Sequence, residues 1–266
     1  MSAAPQSNGA GPTGEPVRRS RSVGRRHVAG IALAVDGDMS LGDIVNRAPG
    51  AARVLEGFAL DYCCGGQRSL RDACAVAEVD LELVVVALNG IELVAVADWV
   101  AMGPFELVGH IESTHHRFLH AELARLDSLA EKVACVHGGR HSELLDVLAD
   151  VKELRDELEP HMASEEHVVF PMIRQMAEPG AGTRSLRRRL RTAISSLMSE
   201  HDAAGALLER LRTRTDDYLV PDDACGSYRQ LYDGLLGVEV DTHLHVHKEN
   251  NLLFPAMMEL SGRPPR

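Results

Sequence analysis

Apolar residues recur three and four positions apart along most of this chain, and four long stretches keep that spacing. The first runs from Pro104 to about Val136. The second starts near His141 or Ser142 and passes through Leu144, Leu145, Leu148, Val151, Leu154, Leu158, His161, Glu165 and Val168. The third covers Ser185 to Arg214 and the fourth Ala224 to Leu260, with breaks at His137-Gly138-Gly139, Pro179 to Gly182 and Pro221-Asp222-Asp223. A period near 3.6 interrupted by turn residues predicts four amphipathic helices packed as an antiparallel bundle, an all-α fold. Pro160 lies inside the second stretch, where its missing donor predicts a kink one turn before His161.

Upstream, residues 37–90 read as a small helical domain. Ser40 is placed to cap a helix from Leu41 to Arg47, Pro49 to open one from Gly50 to Phe58, and Ser69 to cap a third after Gly65-Gly66. The run Leu81 to Leu88 is helical by its neighbours, although Val84-Val85-Val86 also suits a strand. Residues 91–103, with Trp99, form a linker or strap. Residues 1–36 are rich in Gly, Pro, Ser and Ala, with Arg18, Arg19, Arg21, Arg25 and Arg26 against the single acid Glu15, and read as a disordered basic tail. Paired arginines before the apolar stretch His27 to Val35 raise the question of export. That stretch is short and ends in Asp36 without a small-residue cleavage pattern, which argues against it. The bundle spans 104–260, and 261–266 is a frayed tail.

Two segments of the bundle share a pattern. His161-Met-Ala-Ser-Glu165-Glu-His-Val-Val-Phe170-Pro171 and His245-Val-His-Lys-Glu249-Asn-Asn-Leu-Leu-Phe254-Pro255 agree at His, Glu, Phe and Pro. Residues four apart stack on one helical face, so each segment aims an imidazole and a carboxylate at one point. His116 and His201 lie 45 and 44 residues before those histidines, each heading a run that shares Ala, Leu and Arg with the other. The repeating unit is therefore a helical hairpin with one His on its first arm and His-x-x-x-Glu on its second. Two hairpins supply His116, His161, Glu165, His201, His245 and Glu249, enough for two metal ions bridged by carboxylates.

A single His-x-x-x-Glu is usually an exposed surface pair. Two copies in register, at interior positions that would be expensive to bury without metal, point to a metal site. His243, His247 and His115 fall off the ligand face. His120 is on that face, but its counterpart is Gly205. His137 is 21 residues past His116, ~31 Å along a continuous helix, and so belongs at the other end of the bundle. By ligand type the set suits iron, manganese or zinc. Six protein ligands over two metals leave positions for a small molecule such as O2, NO or peroxide.

Composition narrows the picture. Aromatics at 4% favour helices packed on helices, and a net charge of −11 argues against binding nucleic acid or an anionic membrane. No apolar run approaches the ~20 residues of a spanning helix, so no membrane segment is expected. Five cysteines, two of them adjacent, do not make a disulfide framework, and a reducing compartment is expected. The adjacent pair, Cys63 and Cys64, precedes Gly65-Gly66. Such neighbours can ligate a metal, react as thiols or bridge between chains, and the bland alternative is a half-buried turn. Placed at a helix N-terminus, a thiolate there would be favoured by the local dipole. Cys74, Cys135 and Cys225 read as packing residues.

Together these features resemble the iron-sulfur cluster repair di-iron proteins, the Ric family. The resemblance rests on Asp61-Tyr-Cys-Cys-Gly-Gly66, then His116, His161, Glu165, His201, His245 and Glu249 with the run from Glu249 to Pro255, and it spans about residues 40 to 258. It implies a hemerythrin-like bundle with two iron ions in a non-haem centre. It also implies a cytoplasmic stress response that restores iron-sulfur clusters damaged by nitric oxide or oxidants, by delivering iron to the damaged proteins. Cys63 and Cys64 would act there as thiols. The family carries a counterpart of His137, which keeps that residue a candidate ligand. Reduction of nitric oxide at the di-iron site, and reversible O2 or NO binding as a sensor, are the alternatives. The pattern leaves a homodimer open.

Overall fold

The structure is a computed structural model that describes residues 35–91, 98–178 and 180–262. Nearly all of the basic tail, most of the linker, Pro179 of the crossover and the last four residues of the C-terminal tail lie outside the described residues.

Four short helices come first: α1 (Leu41–Arg47), α2 (Ala51–Gly57), α3 (Leu70–Ala77) and α4 (Leu81–Asn89). Ser40 caps α1 by accepting from the Asp43 amide at 3.1 Å, Ser69 does the same for α3 through Asp72 at 3.1 Å, and Asp80 caps α4 through Glu82 at 2.9 Å. The valine-rich run is helical: Val84 and Leu88, four apart, face the core, while Val86 is exposed. A 3-10 turn at Asp98–Ala101 leads into the bundle.

Three of the four bundle rods contain a π turn. The first is α5 (Pro104–Ile111), a π turn at Glu112–His116 and α6 (Arg117–His137). The second is α7 (Glu143–Ser164), a π turn at Glu165–Val169 and α8 (Phe170–Met176). α9 (Arg184–Arg214) runs 31 residues without interruption, and the last rod is α10 (Gly226–Lys248), a π turn at Glu249–Leu253 and α11 (Phe254–Gly262). Pro160 does not end its helix, because α7 continues through it to Ser164. The interruption comes at Glu165 instead, ahead of Pro171.

The π turns have local causes. Pro171 and Pro255 offer no amide to the carbonyl four residues back, and their rings crowd it, so the ladder opens just upstream. The first rod has no such proline. There the Thr114 hydroxyl donates to the His110 carbonyl at 2.6 Å and the Ser113 hydroxyl to the same oxygen at 3.2 Å, competing with the backbone ladder.

The bundle interior holds two apolar layers. One contains Leu119, Leu123, Leu154, Leu158, Leu208 and Leu235, the other Leu107, Ile111, Phe170, Ile194, Leu197 and Phe254. In every rod the changeover falls at the same level, where His116, His161 with Glu165, His201, and His245 with Glu249 point inward. The helices of the N-terminal region form a third cluster, which takes in Val246 of α10 and so docks on the bundle at the level of that polar layer.

Candidate metal centre

The six side chains singled out by the repeat meet in the middle of the bundle, each no more than 5% exposed. Their donor atoms make two overlapping quartets: His116 and His245 with Glu165 and Glu249, and His161 and His201 with the same two carboxylates. Within each quartet the atoms lie within 4.8 Å of one another. Glu165 Oε2 is 3.3 Å from His116 Nε2 and 3.5 Å from His161 Nε2; Glu249 Oε2 is 3.1 Å from His201 Nε2, and its Oε1 is 3.3 Å from His245 Nε2. Each quartet draws one imidazole from each hairpin.

An outer ring of acceptors fixes how the imidazoles present themselves. His116 Nδ1 donates to Glu166 at 2.8 Å, His161 Nδ1 to Glu200 at 2.8 Å and His201 Nδ1 to Asn250 Oδ1 at 3.0 Å. A proton committed on Nδ1 leaves a lone pair on Nε2. The His161 and His201 Nε2 atoms nevertheless face each other at 3.1 Å. Both oxygens of Glu165 and of Glu249 are buried with no hydrogen-bond donor. Lone pairs converging on buried carboxylate oxygens are held together favourably by cations, which is the observation on which the residues fit a pair of metal ions.

The electrostatics agree. Burial, then the neighbouring Glu249, raises the Glu165 carboxyl well above its ordinary value. Burial also acts on Glu249, but His245 and His201 outweigh it and hold that carboxyl well below its ordinary value. Burial pushes His245 down to about 3 and lowers His161, with His201 adding to the second shift. Neutral imidazoles are the form that binds metal. Each repeat also brings its phenylalanine onto the first-arm imidazole of its own hairpin: Phe170 stacks on His116 at 5.5 Å and Phe254 on His201 at 5.9 Å.

The remaining histidines go elsewhere. His120 is half-exposed and reaches Glu166 at 3.2 Å, behind the ligand layer. His137 lies at the far end of α6, with Nε2 3.1 Å from Cys225 Sγ, so the structure does not bring it to the centre. His115 contacts Asp241 at 2.9 Å and Lys248 at 2.6 Å, while its ring stacks on His245.

Asp61 organises the cysteine loop. Its carboxylate accepts from the amides of Cys63, Cys64 and Gly65 at 3.0, 2.9 and 2.8 Å, and from the Cys63 thiol at 3.1 Å. The pair therefore sits in an Asp-closed turn and not at a helix N-terminus, since α3 begins only at Leu70. The expected stabilisation of a thiolate is reversed at Cys63: a hydrogen bond its thiol donates to Cys64, burial and Asp61 all raise it. Cys64 is half-buried at a cavity of 380 Å³ that Asp61, Tyr62 and Cys63 line with Asp202, Glu209 and Glu239 of the bundle.

The loop is joined to the centre by two asparagines that sequence reasoning left without a role. Asn251 Nδ2 donates to the Cys63 carbonyl at 3.0 Å, and Asn250 points its amide at the same carbonyl at 3.5 Å while accepting from His201. Asn251 comes so close that a Cβ on Gly66 would lie 2.4 Å from its Oδ1. His247 completes the seam with Nε2 2.9 Å from Asn46 Oδ1. Glu166 and Glu200 were also missed, and the only available signal was that each adjoins a ligand in sequence.

Residues 109–257 match the model of the hemerythrin HHE cation-binding domain, and residues 37–92 match the ScdA_N model, described as a domain of unknown function (DUF542). The iron-sulfur cluster repair protein YtfE of Escherichia coli O157:H7 is 33% identical over 219 residues, covering 82% of this chain and 96% of the relative. The protein of the same name from Enterobacter sp. (strain 638) shows the same identity and coverage, 33% over 219 residues. With a hemerythrin-type cation-binding bundle and a cysteine-loop region in the order of those relatives, the chain belongs to the family of the iron-sulfur cluster repair proteins YtfE.

Proposed function

We propose that this protein holds two iron ions between Glu165 and Glu249 and repairs damaged iron-sulfur clusters by supplying iron, in the cytoplasm. The observation that carries the reading is the pair of quartets sharing two carboxylates whose four oxygens are buried without donors. Glu165 and Glu249 would bridge the ions, with His116 and His245 on one and His161 and His201 on the other. Iron bound there would supply a redox-active pair and, as cargo, the metal that a damaged cluster lacks.

The protein's own residues prepare such a site in three ways. Glu166, Glu200 and Asn250 hold three imidazoles with Nε2 turned inward. The apolar layers above and below exclude water, which strengthens every charge interaction between them. Asn250 and Asn251 tie the cysteine loop to the second quartet, so Cys63 and Cys64 border the side from which iron would leave. Among the described residues no helix is long and apolar enough to cross a membrane, which is in keeping with a repair role among soluble client proteins.

Anaerobic purification with metal analysis tests the reading. Two irons per chain and the Mössbauer signature of a coupled pair are expected. The wild type should restore an iron-sulfur enzyme inactivated by nitric oxide, and Glu165→Ala should lose both iron and repair. Fewer than two irons in the wild type, or full repair by Glu165→Ala, would overturn it. A second reading, reduction of nitric oxide, is favoured by one feature: six protein donors do not fill the coordination of two ions. Catalytic nitrous oxide formation by the reduced protein would establish that activity.

A further inference from the structure

At the end of the bundle away from the metal centre, Cys225 occupies the N-cap position of the 23-residue helix α10 with extended backbone angles. It is exposed, contrary to the packing role its sequence context suggested, and so is Cys135. Its sulfur lies 3.1 Å from Nε2 of His137, the last residue of α6. His137 is only 4% exposed, and its Nδ1 is buried without any partner, so nothing on the other side of the ring commits it to a single tautomer. The ring is wedged against Tyr228 at 5.4 Å and His141 at 6.5 Å, which holds Nε2 on the sulfur.

We infer that Cys225 and His137 form a reactive thiolate–imidazole pair whose substrate is a hydroperoxide, and that Cys225 is the cysteine of this chain converted to a sulfenic acid. In the step, the Cys225 thiol passes its proton to His137 Nε2, and the thiolate attacks the terminal oxygen of the hydroperoxide. An S–O bond forms and the O–O bond breaks. The sulfur is oxidised by two electrons, and the hydroperoxide is reduced to an alkoxide that takes the proton back from His137 and leaves as the alcohol. The reactants are thiol and hydroperoxide, the products sulfenic acid and alcohol, and no other reductant is required.

The surroundings favour this cysteine over the other four. The amides of Tyr228 and Ser227 at the start of α10 outweigh a slight loss of hydration and lower the Cys225 thiol, with Lys132 of α6 adding to the effect. Beside the pair, His141 in the turn before α7 is engaged with Glu143 at 3.2 Å and with Asp223 at 2.9 Å, and Asp223 also meets Arg140 at 3.6 Å. Cys63 and Cys74 are buried and have raised thiols; Cys64 is half-buried; Cys135 is exposed but has no imidazole at its sulfur among the described contacts.

The full-length protein is treated with one equivalent of tert-butyl hydroperoxide, and sulfenic acid is trapped with a dimedone probe and assigned by peptide mass spectrometry. Cys225 should be labelled at least about tenfold faster than Cys135. Equal rates, or no label on Cys225, overturn the inference, and this comparison depends on no variant folding. In His137→Gln the pH midpoint of iodoacetamide alkylation at Cys225 should move up, with about a tenfold slower reaction near neutral pH. Cys135 alkylation, circular dichroism and iron content should be unchanged. An unmoved midpoint removes His137 from the pair.

Discussion

Gly66 and Gly205 show how differently one substitution acts in two places. At Gly66 a methyl group would meet Asn251 Oδ1 at 2.4 Å and the Tyr62 carbonyl at 2.5 Å, neither of which can move without opening the seam to the bundle. Gly66→Ala should lower stability by roughly 1–3 kcal/mol, read as a lower urea midpoint. Gly205 is inside α9 with nothing within 4 Å of its added Cβ, so Gly205→Ala should raise stability by about 1 kcal/mol in the same measurement. Glu200→Gln tests the outer ring. It keeps the size of the side chain but weakens the acceptor at His161 Nδ1, and metal affinity measured against a competing chelator should fall about 10–100-fold. At this scale the inward histidines and glutamates were legible, because four-residue spacing places them on a face. Glu166, Glu200 and Asn250 were not, because each is defined by a partner 39 to 50 residues distant in sequence. The cysteine pair was misread as a helix N-terminus because Asp61 closes a turn that spacing alone does not reveal.

The helices themselves were well marked. Capping serines, glycine breaks and the apolar period gave the all-α architecture and most element limits to within a residue or two. What the pattern did not disclose was the change of winding at the metal level. A π turn adds one residue without altering the apolar face on either side, so it looks like ordinary helix in a hydropathy pattern. Its signal in the sequence is the proline at Pro171 and Pro255, which by itself does not distinguish a helix that ends from one that changes winding. Pro160 makes the complementary case: it is exposed and sits in an unbroken helix. Restoring the missing amide in Pro160→Ala should stabilise the protein by about 1–2 kcal/mol after allowing for the freer unfolded chain, and a raised melting temperature would show it.

Over the whole molecule, burial of unprotonated histidines links stability to pH. Burial takes His245 down to about 3 and His247 down to about 4, from ordinary values of 6.5. The unfolded chain therefore binds more protons than the folded one below pH ~6.5, so stability is complete above that pH and is lost as the pH falls toward the folded values. In chelator-stripped protein each of the two imidazoles should remove up to about 1.4 kcal/mol per pH unit below pH ~6.5. Urea unfolding at pH 7.5 and 5.5 measures the loss, and His247→Asn should reduce it by about half.

Because each quartet takes one imidazole from either hairpin, a lone hairpin owns two half-sites and no complete one. A shorter chain carrying a single hairpin could capture a cation only by meeting another copy of itself, at a rate set by concentration. The crossover between α8 and α9 turns that encounter into an intramolecular closure, so one polypeptide assembles what its halves would have to find by diffusion.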